Sequence, residues 1–311
     1  MAVSSTAYIH FAARLFVVLA GVVVVVAVEA APIPVDVVLM GGQSNSVGAG
    51  TRALRLPGPL QNPQDDVLYY HSIYRNSEGG YTQPSGLTTL RPGGSGPATG
   101  YGAEILFGHR VKEALPDLSL GIIKSGRGGT SVTNDWNIST GQTYQDFLSN
   151  VDAALGEMVA AGYAPTVTGM LWTQGESDGG RPTELYAADL EDMIDGLRSR
   201  YNEDLKFFIS RLSRNQESTP ERQRNFPTVR AAQEQVAEDD PLTFLIDTDD
   251  LGVYANDPLH FNDAGQQELG RRFAAAYVEV IPEPMTGLLF VVCGWLVLAR
   301  RQRVVRSDQK P

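Results

Sequence analysis

The chain has 311 residues, 42% of them hydrophobic and 20% charged, with 32 Gly and 18 Pro, which excludes a collagen, a coiled coil and wholesale disorder. Its charge is unevenly placed: residues 1–30 hold only Arg14 and Glu29, and residues 285–311 are basic, which leaves 19 basic and 34 acidic residues at positions 31–284. A middle so negative argues against nucleic acid or an anionic membrane surface as partner.

Taken in chain order, residues 1–31 read as a secretory signal. Arg14 precedes an apolar run from Leu15 to Val28, and small residues flank Glu29 where a signal peptidase would cut. An uncleaved membrane anchor is the alternative. Val35–Met40 then forms a short apolar run ending in Gly41-Gly42, as a buried strand feeding a turn does. Residues 51–99 are long, rich in Gly, Pro, Asn and Ser, and poor in clear helix. They read as an irregular, partly structured insertion near the site.

Beyond it, helical spacing over Tyr101–Leu115 precedes the strand Leu118–Lys124, and a helix over Tyr144–Ala161 precedes the strand Val167–Trp172. The helix Thr183–Tyr201 has acidic residues early and Arg198 and Arg200 late, matching the helix dipole. The strand Lys206–Leu212, a helix around Val229–Ala237, the strand Thr243–Ile246 and a helix over Asp263–Val280 complete the series. This alternation predicts one α/β domain over residues 32–281: a parallel sheet of about five strands with helices on both faces and ligands at the carboxyl ends of the strands.

The far end carries Pro282-Glu283-Pro284, an uncharged stretch Met285–Ala299 and then Arg300, Arg301 and Arg303. That stretch spans only about 22 Å as a helix, short of the roughly 30 Å hydrocarbon core, and reads as a marginal transmembrane segment with a positive flank. The order of these parts over residues 282–311 resembles the PEP-CTERM sorting signal of Gram-negative bacteria. The resemblance implies an exosortase-type sorting partner and export to the cell surface or extracellular matrix; a simple tail anchor is the alternative.

The single cysteine, Cys293, lies in this tail, so the domain has no disulfide, no thiolate nucleophile and no Cys-ligated metal. Three histidines remain outside the leader: His71, His109 and His260. Three short segments follow predicted strands. In Gly41-Gly42-Gln43-Ser44-Asn45-Ser46, a serine at a glycine-flanked strand end can expose its hydroxyl above the sheet, although the segment is not a G-x-S-x-G elbow. Read alone it is more readily a polar turn or helix N-cap. In Trp172-Thr173-Gln174-Gly175-Glu176-Ser177-Asp178, Gln174 offers amide donors and Glu176 a carboxylate, or both simply cap a turn.

In Asp257-Pro258-Leu259-His260, a carboxylate and an imidazole three residues apart can pair through Nδ1, which fixes the tautomer and stabilises the imidazolium. His71 lies in the irregular stretch and His109 on a helix, where substrate contact, surface or packing roles are the default. Trp136 is either a sugar-stacking ring or part of the core, and Arg127 either a substrate contact or a carboxylate partner.

Together with Lys124-Ser125-Gly126-Arg127-Gly128-Gly129-Thr130-Ser131, these segments resemble the SGNH hydrolase superfamily, in its sialate O-acetylesterase and acetylxylan-esterase-like carbohydrate esterase branch, over residues 35–280. The resemblance implies a three-layer α/β/α, flavodoxin-like doubly wound sheet and removal of O-acetyl groups from an acetylated oligo- or polysaccharide without cofactor or metal. It implies Ser44 as nucleophile, His260 as general base and acid, and Asp257 as its orienting carboxylate, with Glu176 as a second acidic partner. The implied oxyanion donors are the Ser44 N–H, an N–H of the Gly128-Gly129 turn, assigned to Gly128, and the Gln174 side chain. A lipid, thioester or aryl esterase, a glycan-binding module without catalysis and a metal-dependent hydrolase using Glu176, Asp178, Asp257 and His260 are the competing readings.

Overall fold

The computed structural model describes residues 14–19, 22–27, 30–75, 80–180 and 184–281. The sorting signal read at 282–311 lies outside them, as does much of the leader, within which β1 (Arg14–Leu19) and β2 (Val22–Ala27) pair only with each other. Among the described residues no helix is long and apolar enough to cross a membrane.

The main sheet is organised around β3 (Ile33–Gly42), which lies parallel to β7 (Leu120–Arg127) on one side and to β8 (Tyr163–Thr173) on the other. Outside β7 runs β4 (Gln64–Arg75), also parallel, and outside β8 run β9 (Lys206–Ser210) and β10 (Thr243–Ile246). From β3 the chain first reaches the outer strand β4, comes back inward to β7 beside β3, and then crosses to β8, β9 and β10 on the other side. β7 and β8 therefore flank β3, and the winding reverses there. In such sheets the crevice beyond the strand ends at that reversal is where ligands bind.

The pleat of β3 sends Val35, Val37 and Leu39 to one face and Val38 and Met40 to the other. The first face is covered by α3 (Gln142–Ala160), α4 (Glu184–Tyr201) and α5 (Pro220–Asp239), through residues such as Phe147, Leu190 and Val229. The second is covered by α2 (Glu104–Ala114) and α6 (Asp263–Val280), through Phe107, Phe273 and Tyr277. Burying each large apolar side chain contributes roughly 1.5–3 kcal/mol, so these two clusters hold the three layers together.

The expected five parallel strands are present, and the structure adds a sixth. Residues 51–99 are not wholly irregular, because β4 lies inside them. Its sequence, QDDVLYYHSIYR, lacks a period-2 pattern because the strand is buried on both faces: Tyr70 packs in one cluster, Val67 and Tyr69 in the other. Two short strands, β5 (Gly80–Tyr81) and β6 (Thr88–Leu90), finish this edge antiparallel to β4.

Candidate active site

β3 ends where Gly42 adopts φ +126°, and a Cβ there would lie 2.2 Å from the Thr173 carbonyl oxygen on β8. Only glycine fits that approach and that dihedral. The Gln43 N–H then donates to the same oxygen at 3.0 Å, and the one-turn helix α1 (Ser44–Val47) begins. This lifts Ser44 clear of the central strand with its side chain partly exposed, as its position after a Gly-Gly strand end predicts.

His260 is carried on a hairpin of β11 (Val253–Tyr254) and β12 (Asp257–Phe261). Val253 faces Phe261 while Tyr254 faces Asp257, so residues 258–260 bulge out of register. The bulge breaks the alternation that would send positions 257 and 260 to opposite faces. Asp257 Oδ2 lies 2.6 Å from His260 Nδ1, and His260 Nε2 lies 2.8 Å from Ser44 Oγ. With Asp257 accepting from Nδ1–H, Nε2 is left as an acceptor facing the serine hydroxyl. The structure therefore brings together Ser44, His260 and Asp257, residues separated by up to 216 positions in the chain.

The turn after β7 lies against the same serine: a Cβ on Gly128 would be 3.5 Å from Ser44 Cβ. Gly129 follows with φ +76°. Gln174 is placed differently from the donor role implied by the family resemblance. Its Nε2 donates to Asp178 Oδ2, to the Thr130 carbonyl at 3.0 Å and to Gln43 Oε1 at 3.3 Å, and the side chain is buried. An amide with two hydrogens and three protein acceptors has none left for a developing oxyanion. Gln174 ties the 130–133 loop down instead, helped by Asp178, which accepts from the Val132 N–H at 3.0 Å.

Glu176 is likewise not bonded to His260. Its buried Oε1 accepts from Asn45 Nδ2 and from Gln216 Nε2, the latter at 2.7 Å. Of the two carboxylates weighed as partner for the histidine, Asp257 is the one in contact. Sequence reasoning assigned no role to Asn45, although it adjoins Ser44, and it missed Gln216, which sits in an unpatterned polar loop with no motif to mark it.

Residues 34–279 match the family described as carbohydrate esterase, sialic acid-specific acetylesterase. The chain belongs to that family. It is accordingly a carboxylic ester hydrolase of the carbohydrate acetylesterase class. No curated protein matches it by sequence. Among solved structures, a protein from Arabidopsis thaliana is 19% identical and covers 81% of this chain and 100% of its own, with a TM-score of 0.61. NanS is 17% identical, covering 80% of this chain and 98% of its own at a TM-score of 0.58. A carbohydrate acetylesterase from Xanthomonas citri is also 17% identical, covering 79% of this chain and 56% of its own at 0.54. At these identities the likeness concerns the fold.

In this esterase the remaining candidates take structural places. Trp136 is 1% exposed, stands edge-on to Trp172 at 4.8 Å and donates Nε1–H to Thr130 Oγ1 at 3.0 Å, so it supports the loop after β7 from within the core and does not present a ring to solvent. His109 pairs with Glu113 along α2 at 3.4 Å, and His71 lies on β4 beside Tyr69. Among the described residues Arg127 pairs with no carboxylate; its guanidinium stacks 4.3 Å from the Tyr74 ring centroid. Among the described residues no group of three His, Cys, Asp or Glu side chains converges as a metal site, so the four residues of the metal-hydrolase reading do not form one.

Proposed function

We propose that this protein is an exported serine esterase that removes O-acetyl groups from acetylated carbohydrate, xylan or sialate, through an acetyl-Ser44 intermediate. The observation that supports it is the unbroken chain Ser44 Oγ···His260 Nε2 and His260 Nδ1···Asp257 Oδ2, at 2.8 and 2.6 Å, within a member of the acetylesterase family. Ser44 Oγ attacks the acetyl carbonyl as its proton passes to His260 Nε2, and the oxyanion forms beside the Ser44 N–H and the Gly128-Gly129 turn. The sugar oxygen leaves with the proton now held on His260. Water, deprotonated by the same nitrogen, then attacks the acetyl-enzyme, and acetate departs as Ser44 regains its proton.

The leader at 1–31 supports the exported part of this reading, and the tail at 282–311 supports its delivery to the cell surface by sorting machinery. The direct experiment measures acetate release from acetylated xylan and O-acetylated sialic acid, wild type beside Ser44→Ala, with EDTA present. Release by the wild type alone is expected, with loss of at least about 10³-fold in the variant. Equal release by both would overturn the serine mechanism.

A further inference from the structure

The base-bearing bulge at residues 258–260 has little packing of its own, since Asp257 to His260 are all partly exposed. Its backbone is nevertheless tied on both sides of His260. Asn45 Oδ1 accepts from the Phe261 N–H at 2.9 Å, and Asn45 Nδ2 donates to the Leu259 carbonyl at 3.2 Å. One carboxamide thus grips the peptide groups before and after the histidine. Gln216 Nε2 donates to the same Leu259 oxygen at 2.7 Å, and the Glu217 N–H donates to the Pro258 oxygen at 3.0 Å.

Glu176 organises both carboxamides. Its Oε1 accepts one hydrogen from Asn45 and one from Gln216, which fixes which end of each amide faces the bulge. Glu176, Asn45 and Gln216 are 3%, 0% and 1% exposed, so water does not compete for these bonds. Gln216 is itself fixed, its Oε1 accepting from the Ser213 N–H at 3.0 Å, and Asn45 is fixed by Gln266, which donates to its carbonyl at 2.8 Å.

We infer that Glu176, Asn45 and Gln216 form a clamp that positions His260 between Ser44 and Asp257. Glu176 serves the reaction through the two amides and is a positioning residue, as are Asn45 and Gln216. Because Asn45 directly follows Ser44, nucleophile and base are registered to each other through one residue. This inference rests on the Ser44–His260 reading above.

The test compares Asn45→Ala, Gln216→Leu and Glu176→Gln with wild type in steady-state hydrolysis of p-nitrophenyl acetate and of the acetylated sugar. It adds proton NMR of the low-field Nδ1–H resonance of His260. Misplacing a base by about 1 Å costs on the order of 10²-fold. We expect kcat to fall about 10- to 100-fold in Asn45→Ala and Gln216→Leu with KM within about twofold. The Nδ1–H resonance should be broadened or lost although Asp257 and His260 are both intact.

Glu176→Gln keeps an acceptor oxygen for both amides and should retain more activity than the other two. Where Asn45→Ala does not fold, Gln216→Leu carries the test, because Gln216 lies on a loop away from α1. Wild-type kcat and an unchanged resonance in the folded variants would overturn the clamp. Inactivity of the wild type on every acetyl ester would overturn the serine mechanism instead.

Discussion

Lys124 and Glu104 form an ion pair at 2.7 Å with side chains only 1% and 0% exposed, against the helix that begins with the candidate nucleophile. Lys124 Nζ also donates to the Val47 carbonyl of α1 at 3.3 Å, and Glu104 accepts from the Gly102 N–H at 2.9 Å. The pair therefore braces α1 through the Val47 carbonyl and ties it to the start of α2. Burial lowers the Lys124 pKa, and the Glu104 carboxylate opposes that shift.

Replacing Lys124 by Met leaves a buried carboxylate without its cation, which costs about 3–5 kcal/mol. Urea unfolding of Lys124→Met should show a loss in that range. Glu104→Gln/Lys124→Met should recover part of it, since the neutral amide still accepts from Gly102. Losses that simply add in the double variant would show that the two groups are not coupled.

Asp257→Asn addresses the histidine tautomer. An asparagine amide can donate to Nδ1, which moves the ring proton to Nε2, where it faces Ser44 Oγ and blocks proton acceptance. In a buried triad this substitution lowers kcat by about 10⁴. The Asp257 side chain is 46% exposed, so water shares its role, and the loss should lie nearer about 10²-fold. Steady-state kcat on an aryl acetate reads this out, and a rate within twofold of wild type would remove Asp257 from the mechanism.

The fold and the chemistry were legible in the sequence to different depths. Strands such as Val35–Met40 and Val167–Trp172 are legible because buried parallel strands are near-continuous apolar runs, broken here only by Asp36 and by Thr168-Gly169. β4 did not, because Gln64, Asp65 and Asp66 open it and Gly- and Pro-rich segments surround it. Ser44, Asp257 and His260 were visible through motif and spacing. The placing of Gln174 and Glu176 was not, since it depends on which buried acceptors lie nearby: Asp178 and Thr130 for one, Asn45 and Gln216 for the other. Those contacts join residues up to 131 positions apart, and no local pattern encodes them.

Two glycines near Ser44 should respond unequally to alanine. At Gly42 the added methyl meets the Thr173 carbonyl at 2.2 Å as well as an unfavourable φ, so β3, β8 and the turn to Ser44 must all shift. At Gly129, φ is +76° but nothing lies within 4 Å of the added carbon. Gly129→Ala should cost only the left-handed strain, about 1–2 kcal/mol, and Gly42→Ala about 3 kcal/mol or more with loss of activity. Thermal unfolding of both proteins checks the order, and equal losses would contradict the crowding at Gly42.

Asp249 precedes the hairpin that carries the base and should confer acid sensitivity. Burial pushes its carboxyl up, but this is outweighed by hydrogen bonds from Arg230 and the Arg214 N–H and by the charges of Arg230 and Arg211, so its pKa lies below the usual carboxylate value. Arg230 grips both oxygens, at 2.7 and 2.9 Å. A carboxyl held below its unfolded pKa contributes stability that is fully present above that unfolded value, near 4, and is lost as pH falls through the folded value. Asp249→Asn should therefore be less stable than wild type at pH 7 by about 1–3 kcal/mol, with the gap closing below about pH 4. Urea unfolding of both proteins between pH 7 and 3 measures the gap. A gap that stays constant across that range would assign the effect of the substitution to shape and not to charge.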